Sequence, residues 1–194
     1  MAIDHSDRGI PTRALVLLSG GIDSLAAAHY CRSKGWKTSA LFVDFGQPAS
    51  GREAAAAKAV ATRLGIDLQC RTMSCFRVPE HGEILGRNGW LVQTALMATG
   101  PDDAIIAIGI HAGTDYADCS PAFIEKMQQL LGLQAGGQVQ LFAPFLTWTK
   151  AEIWDFCRDE GLPVELTYSC ERGLDQPCGQ CATCSELTLL HARS

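Results

Sequence analysis

The apolar run Ala14-Leu-Val-Leu-Leu18 breaks on Ser19-Gly20-Gly21, and helical spacing begins at once with Ile22-Asp23-Ser24. A short continuous apolar run suits a strand buried on both faces, as in parallel sheets. Leu25, Ala28 and Cys31 then share one face of a helix ending near Lys34. The alternation continues. Lys37–Asp44 reads as a strand, alanine-rich Gly51–Leu64 as a helix, and Asp67–Thr72 as a weaker strand. Met73–Gly86 is irregular, Trp90–Thr99 helical, and Ala104–Gly109 a buried strand. Pro121 suits the first position of a helix ending near Leu131, and Val139–Ala143 reads as a last strand. Thr149 and Glu152 form a capping box for a helix from Lys150 to about Glu160. Strands alternating with helices predict an α/β domain, doubly wound around a mainly parallel sheet. Its expected bounds are 13–160, after a loose arm at 1–12 and before a small C-terminal segment at 161–194.

In such sheets ligands bind beyond the carboxyl ends of the strands. Ser19–Ser24, Asp44–Gln47 and Gly109–Cys119 fall there. In the first, Leu18, Ser19, Gly20, Gly21, Ile22, Asp23 and Ser24 bring backbone N–H groups and a helix N-terminus to one point, which favours an anion. Ser19 and Ser24 offer hydroxyls to phosphate oxygens, and Asp23 would orient water or Mg²⁺ beside them. A plain capped turn is the competing reading. The G-x-x-x-x-G-K-[ST] and G-x-G-x-x-G patterns are both absent, which disfavours γ-phosphate transfer and dinucleotide oxidoreduction. Asp44 and Gln47 would contact adenosine, or merely polarise a turn. Arg87 is a candidate phosphate or carboxylate clamp, and Lys150 adds positive charge at a helix N-terminus. In the third segment His111, Asp115, Tyr116 and Asp118 are candidate substrate contacts, the acids accepting from N–H groups of a purine-like ring. The competing reading has Asp118 or Ser120 cap the helix at Pro121, and Cys119 reads better as a buried thiol than as a nucleophile.

Net charge is −5, and the chain lacks the basic face of a general nucleic-acid binder, so a small molecule is the expected partner. The start lacks the apolar core of a signal peptide, and no apolar stretch reaches the roughly 18 residues of a membrane span. A soluble cytoplasmic protein is expected. Nine cysteines, an odd number, argue against a disulfide scaffold. Five are scattered, but Cys170, Cys178, Cys181 and Cys184 read C-x7-C-x2-C-x2-C. Four thiolates around one point suit structural Zn²⁺, with an iron–sulfur cluster as the alternative.

Ser19-Gly-Gly-Ile-Asp-Ser24 resembles the pyrophosphate-binding loop (PP-loop) of ATP pyrophosphatases, the adenine nucleotide α-hydrolase-like fold. That resemblance implies cleavage of ATP between its α- and β-phosphates, with AMP attached to an oxygen of the acceptor. Further segments follow in order: Phe45-Gly46-Gln47, Gly86-Arg87-Asn88, Asp118-Cys119-Ser-Pro-Ala-Phe-Ile124, Thr149-Lys150-Ala-Glu-Ile153, and the cysteine tail. Together they resemble the 7-cyano-7-deazaguanine synthase family from about residue 14 to 187. The resemblance implies an ATP-, Mg²⁺- and Zn²⁺-dependent ligase, expected as a homodimer. It would activate a small-molecule carboxylate, 7-carboxy-7-deazaguanine, for ammonia and then dehydrate the amide to a nitrile. Three positions depart from the family pattern. Ala112 stands where an Asp is usual, and Ser120 and Leu187 stand where Arg is usual. They raise the alternatives of a related enzyme amidating another small-molecule or protein carboxylate, and of a non-catalytic nucleotide-binding module.

Overall fold

The computed structural model describes residues 12–73 and 83–192. The expected arm lies almost wholly outside the described residues, as does most of the irregular stretch after Met73. The elements run β1 (Arg13–Leu17), α1 (Ile22–Ser33), β2 (Lys37–Asp44), α2 (Ser50–Leu64), β3 (Asp67–Thr72), α3 (Arg87–Ala98) and β4 (Asp103–Ala107). Then come α4 (Pro121–Gln134), β5 (Gln140–Phe142), α5 (Lys150–Asp159) and α6 (Ala182–His191). The strands form one sheet in the order β3-β2-β1-β4-β5, and every pair is parallel.

Alternation along β1 explains the apolar run. Ala14 and Val16 join the core beneath α1, α2 and α5, where Leu25, Val60 and Ile153 pack. Leu15 and Leu17 face the other way, into the core beneath α3 and α4 with Val92 and Leu131. A strand covered by helices on both faces tolerates no polar side chain, hence the unbroken run. The order reverses between β1 and β4, so a crevice opens at their carboxyl ends, the topological switch point of a doubly wound sheet.

Two helices run three residues past their expected limits. α3 begins at Arg87, three residues before Trp90, because Asp118 Oδ2 accepts from the Asn88 backbone N–H at 3.1 Å. α4 continues through Gly132, because Leu131 is fully buried, and stops before the positive-φ pair Gly136-Gly137.

Gly109, just after β4, presses on the glycine turn from below. A Cβ there would lie 2.6 Å from the Asp23 carbonyl oxygen. Gly109→Ala therefore must push the two loops apart. It should cost about 1–3 kcal/mol of stability, as overpacking does, and weaken nucleotide binding; thermal melts with and without ATP would measure both.

Candidate functional site

The crevice widens into a cavity of about 660 Å³ above the carboxyl ends of β1, β2 and β4. Its floor is the turn 18–24. Gly21 caps α1 without any side-chain hydrogen bond, so the first-turn N–H groups of that helix remain available to a ligand. Ser19 Oγ donates to Ser24 Oγ at 3.2 Å, and Ser24 Oγ donates to the Gly21 carbonyl at 2.9 Å. Gly20 adopts φ +87° and backs onto the Glu53 carbonyl, where a side chain has no room.

Asp23 is the centre of charge. Lys150, on the first turn of α5, places Nζ 2.5 Å from Asp23 Oδ2, and its side chain is only 9% exposed. Asp23 Oδ1 is buried without a hydrogen-bond partner. A carboxylate with one oxygen neutralised and the other unspent, beside free helix N–H groups, fits a hydrated divalent cation carrying phosphates.

His111 Nε2 lies 3.9 Å from the same Asp23 oxygen, while its Nδ1 accepts from the Gly113 N–H at 3.0 Å. That acceptor role leaves the ring proton on Nε2, directed at Asp23. Burial holds the imidazole below its ordinary range; Asp23 opposes the shift and Lys150 adds to it. The unfolded chain therefore binds more protons between the lowered value and 6.5. Stability should rise with pH through that window and fall as pH drops through the folded value. His111→Gln should flatten this limb of the curve, as melting temperatures from about pH 5 to 8 would reveal.

Other sequence candidates divide. Leu18, Arg87, Gly109, Asp115 and Tyr116 line the cavity. Gln47 lines it too, but its amide is committed: Nε2 donates to Glu53 at 2.7 Å, and Oε1 accepts from the Phe45 N–H. Four candidates lie outside the lining. Asp44 is spent on the Gly46 N–H in a local turn, and Asp118 on the start of α3. Gly20 faces α2, and Ile22 is 3% exposed in the core. The helix at Pro121 is capped by Ser120, whose Oγ accepts from the Phe123 N–H. Cys119 is buried, which pushes its thiol up and away from nucleophilic use.

The tail folds back to close the cavity. The Tyr168 N–H donates to the Gly20 carbonyl at 2.9 Å, and Arg52 pairs with Asp175. The ligand atoms of Cys170, Cys178, Cys181 and Cys184 lie within 4.8 Å of one another. Backbone N–H groups point at the sulfurs: Cys181 N to Cys178 Sγ at 3.2 Å, Cys178 N to Cys170 Sγ at 3.4 Å, and Cys184 N to Cys181 Sγ at 3.5 Å. The N–H donors of Gln180 and Cys181 pull the Cys178 thiol down to about 6. Burial instead pushes the Cys184 thiol up to about 12; four sulfurs around a common point fit a four-coordinate metal ion.

The family model for "Queuosine biosynthesis protein QueC" matches residues 13–81 and 80–188. The chain belongs to the QueC family. A 7-cyano-7-deazaguanine synthase of Synechococcus sp. is 30% identical over 203 residues, covering 88% of each chain. One from Brucella ovis is 32% identical over 206 residues, covering 90% of this chain and 86% of its own. Among solved structures, NMN synthetase from Francisella tularensis superposes with a TM-score of 0.53 at 15% identity, over 95% of this chain and 85% of that one. That likeness concerns the fold alone. Among the described residues no helix is long and apolar enough to cross a membrane.

Ala112, Ser120 and Leu187, which depart from the QueC family pattern, all lie outside the cavity lining. Ala112 is exposed, with its N–H donated to the Trp148 carbonyl, and it does not line the cavity. Ser120 is occupied as a helix cap. Leu187 packs against the core beneath α1. Several cavity residues lie outside the motifs: Glu53 from the first turn of α2, Thr114, and Tyr168, Ser169, Glu171 and Glu186 from the tail. Glu171 and Glu186 flank the clustered cysteines, a position from which a side chain can face whatever that segment covers. Glu53 carries no such signal within an alanine-rich helix. Burial raises its carboxyl, and the Gln47 hydrogen bond and Arg87 oppose that shift.

Proposed function

We propose that this chain uses ATP and Mg²⁺ to adenylate a carboxylate and passes the acyl group to ammonia, with 7-carboxy-7-deazaguanine as the acceptor and 7-cyano-7-deazaguanine as the end product. The observation that carries the reading is Asp23 at an uncapped helix N-terminus, one oxygen held by Lys150 and the other buried and unspent. The names of the relatives support the end product.

A carboxylate oxygen is a poor leaving group until it carries AMP. The acceptor oxygen attacks the α-phosphorus, the bond to the β-phosphate oxygen breaks, and pyrophosphate departs. Ser19, Ser24 and the N–H groups of the turn would receive the charge that builds on that pyrophosphate, where fixed donors lower the barrier most. Asp23 would hold Mg²⁺, which supplies neutralisation of the phosphate oxygens. Lys150 keeps Asp23 in place and adds positive charge. Ammonia then displaces AMP to give the amide; a second ATP adenylates the amide oxygen, and its C–O bond breaks as AMP departs and the two N–H protons are lost, leaving the nitrile. Neutral His111, with its proton on Nε2, can donate but cannot accept at that atom. Zn²⁺ is the ion proposed for the four cysteines, in a closed structural site.

A second reading has a specific support: the acid and the arginine usual in the acceptor loop are absent at Ala112 and Ser120. The same adenylation would then serve another carboxylate. One incubation separates the two. With ATP, Mg²⁺, ammonium and 7-carboxy-7-deazaguanine, AMP and pyrophosphate should accumulate while the base gains the mass of the nitrile. AMP released only with a different acid would favour the second reading. Retained ATP binding without cleavage under any condition would overturn the enzyme.

A further inference from the structure

A second cavity, of about 530 Å³, adjoins the first. Tyr168 and Ser169 line both, so this short segment is the partition between them. The partition rests on the glycine turn. The Tyr168 N–H donates to the Gly20 carbonyl at 2.9 Å, and a Cβ at Gly21 would lie 3.6 Å from Ser169 Oγ. Two buried residues of the second cavity also adjoin the charged pair in the first. Ile22, 3% exposed, precedes Asp23, and Trp154, 5% exposed, stands one helical turn beyond Lys150 on the same face of α5. They form its floor. Glu165, Thr188 and His191 line the cavity too but are exposed, and so mark its mouth. Cys170 and Cys184 supply sulfur to a further wall.

The floor carries one unmet polar group. Trp154 Nε1 is buried and has no hydrogen-bond partner among the described residues. His191 crosses the indole with ring centroids 4.7 Å apart but takes no hydrogen bond from it. Ile22, Val164 and Leu187 belong to the same apolar cluster as Trp154. A donor buried in such surroundings is costly to leave unpaired, so its retention calls for an acceptor that enters from outside.

The reaction proposed above needs a second way in. ATP and the acceptor share the first cavity, and the acyl carbon ends one oxygen away from the phosphorus that pyrophosphate leaves. Ammonia has to reach that carbon from a side that neither covers. Neutral ammonia carries a lone pair, which can accept from an indole N–H. Ammonium has no lone pair, and its charge makes an apolar floor costly to enter. Lys150 behind that floor repels it further.

We infer that ammonia reaches the acyl adenylate through this second cavity, with its lone pair accepting from Trp154 Nε1 before it crosses the partition at Ser169. Glu165, the one carboxylate among the lining residues, draws ammonium to the mouth. The proton stays in the solvent there, and the neutral molecule goes on. This inference rests on the carboxylate-activating reading above.

Steady-state kinetics on the full chain with its metal bound provide the test, with 7-carboxy-7-deazaguanine as acceptor and ammonium chloride varied at fixed pH. Trp154→Phe keeps an apolar ring and removes the N–H. Its KM for ammonium should rise about two- to tenfold, the worth of one hydrogen bond, while KM for ATP stays unchanged. Thr188→Trp fills the mouth and should raise KM for ammonium further. ATP–pyrophosphate exchange without ammonium reports adenylation alone and should be the same in the wild type and both variants. An unchanged KM for ammonium in Thr188→Trp, with exchange intact, would overturn the entrance and leave the carboxylate-activating reading standing. A rise in Thr188→Trp without one in Trp154→Phe would sustain the entrance and remove Trp154 from it. If Thr188→Trp loses exchange, Glu165→Trp, from another segment of the rim, decides by the same criteria. No exchange in the wild type would end that reading and the inference together.

Discussion

Asp23→Asn should lower turnover by at least about a hundredfold, the scale seen when one charge-stabilising group is removed from a site of this kind. Volume and hydrogen-bonding capacity are nearly conserved, so the loss is one of charge. It has a second consequence. Lys150 is 8% exposed and its ammonium lies 2.5 Å from Asp23. Without that partner it becomes an uncompensated buried cation, at a cost of about 3–5 kcal/mol for a fully buried pair. Asp23 retains 24% side-chain exposure, which argues for the lower end. Lys150→Met alone should also destabilise, while the double variant should recover much of the stability and none of the activity. A double-mutant cycle with chemical denaturation, run beside the AMP assay, checks both. If the double variant is as unstable as the sum of the single ones, the two groups do not act as a pair.

Cys181→Ser should have the largest structural effect. Cys181 caps α6 and contributes one of four clustered sulfurs. A structural metal supplies folding free energy outright, about 10–16 kcal/mol in isolated zinc-finger peptides. Its loss should release the tail, break the Tyr168–Gly20 hydrogen bond, and unseat Gly173, which packs against the Pro48 carbonyl. Metal content should fall to background and nucleotide affinity by at least about tenfold, the weight of one to two such hydrogen bonds. The five-stranded sheet should persist, as far-ultraviolet circular dichroism would report. Cys70→Ser is the matched control: Cys70 is exposed on β3, outside the cluster. Metal retained in Cys181→Ser would show that this sulfur is not a ligand.

Strands β2 and β3 begin and end where their residues alone predict. Both are bounded by glycines or polar turn residues close in sequence, so local chemistry decides. The start of α3 is decided by Asp118, 30 residues further along the chain, and no local pattern at Arg87 announces it. Asp44 reads as an adenosine contact and Asp118 as a substrate contact, yet each serves the backbone, Asp44 two residues on and Asp118 30 residues back. Asp44 and Asp118 do stand near the carboxyl ends of strands, but neighbouring backbone N–H groups claim them first. The glycine turn was legible because its chemistry is carried by consecutive residues. The tail's contribution was not, since Glu171 and Glu186 gain meaning only once the cysteines bring them over a loop some 150 residues earlier in sequence.

That separation has a consequence for how the protein is made. The glycine turn is among the first parts of the described chain to be synthesised, and Tyr168, which clasps it, among the last. Contacts between such distant segments close late, because the intervening loop must be ordered first. A nascent chain can assemble β1 through β5 and still lack the lid over its phosphate seat. On the function proposed above, ATP would meet a competent cavity only after the cysteines have emerged and taken the proposed metal, so metal supply during synthesis would set the fraction of finished molecules able to work.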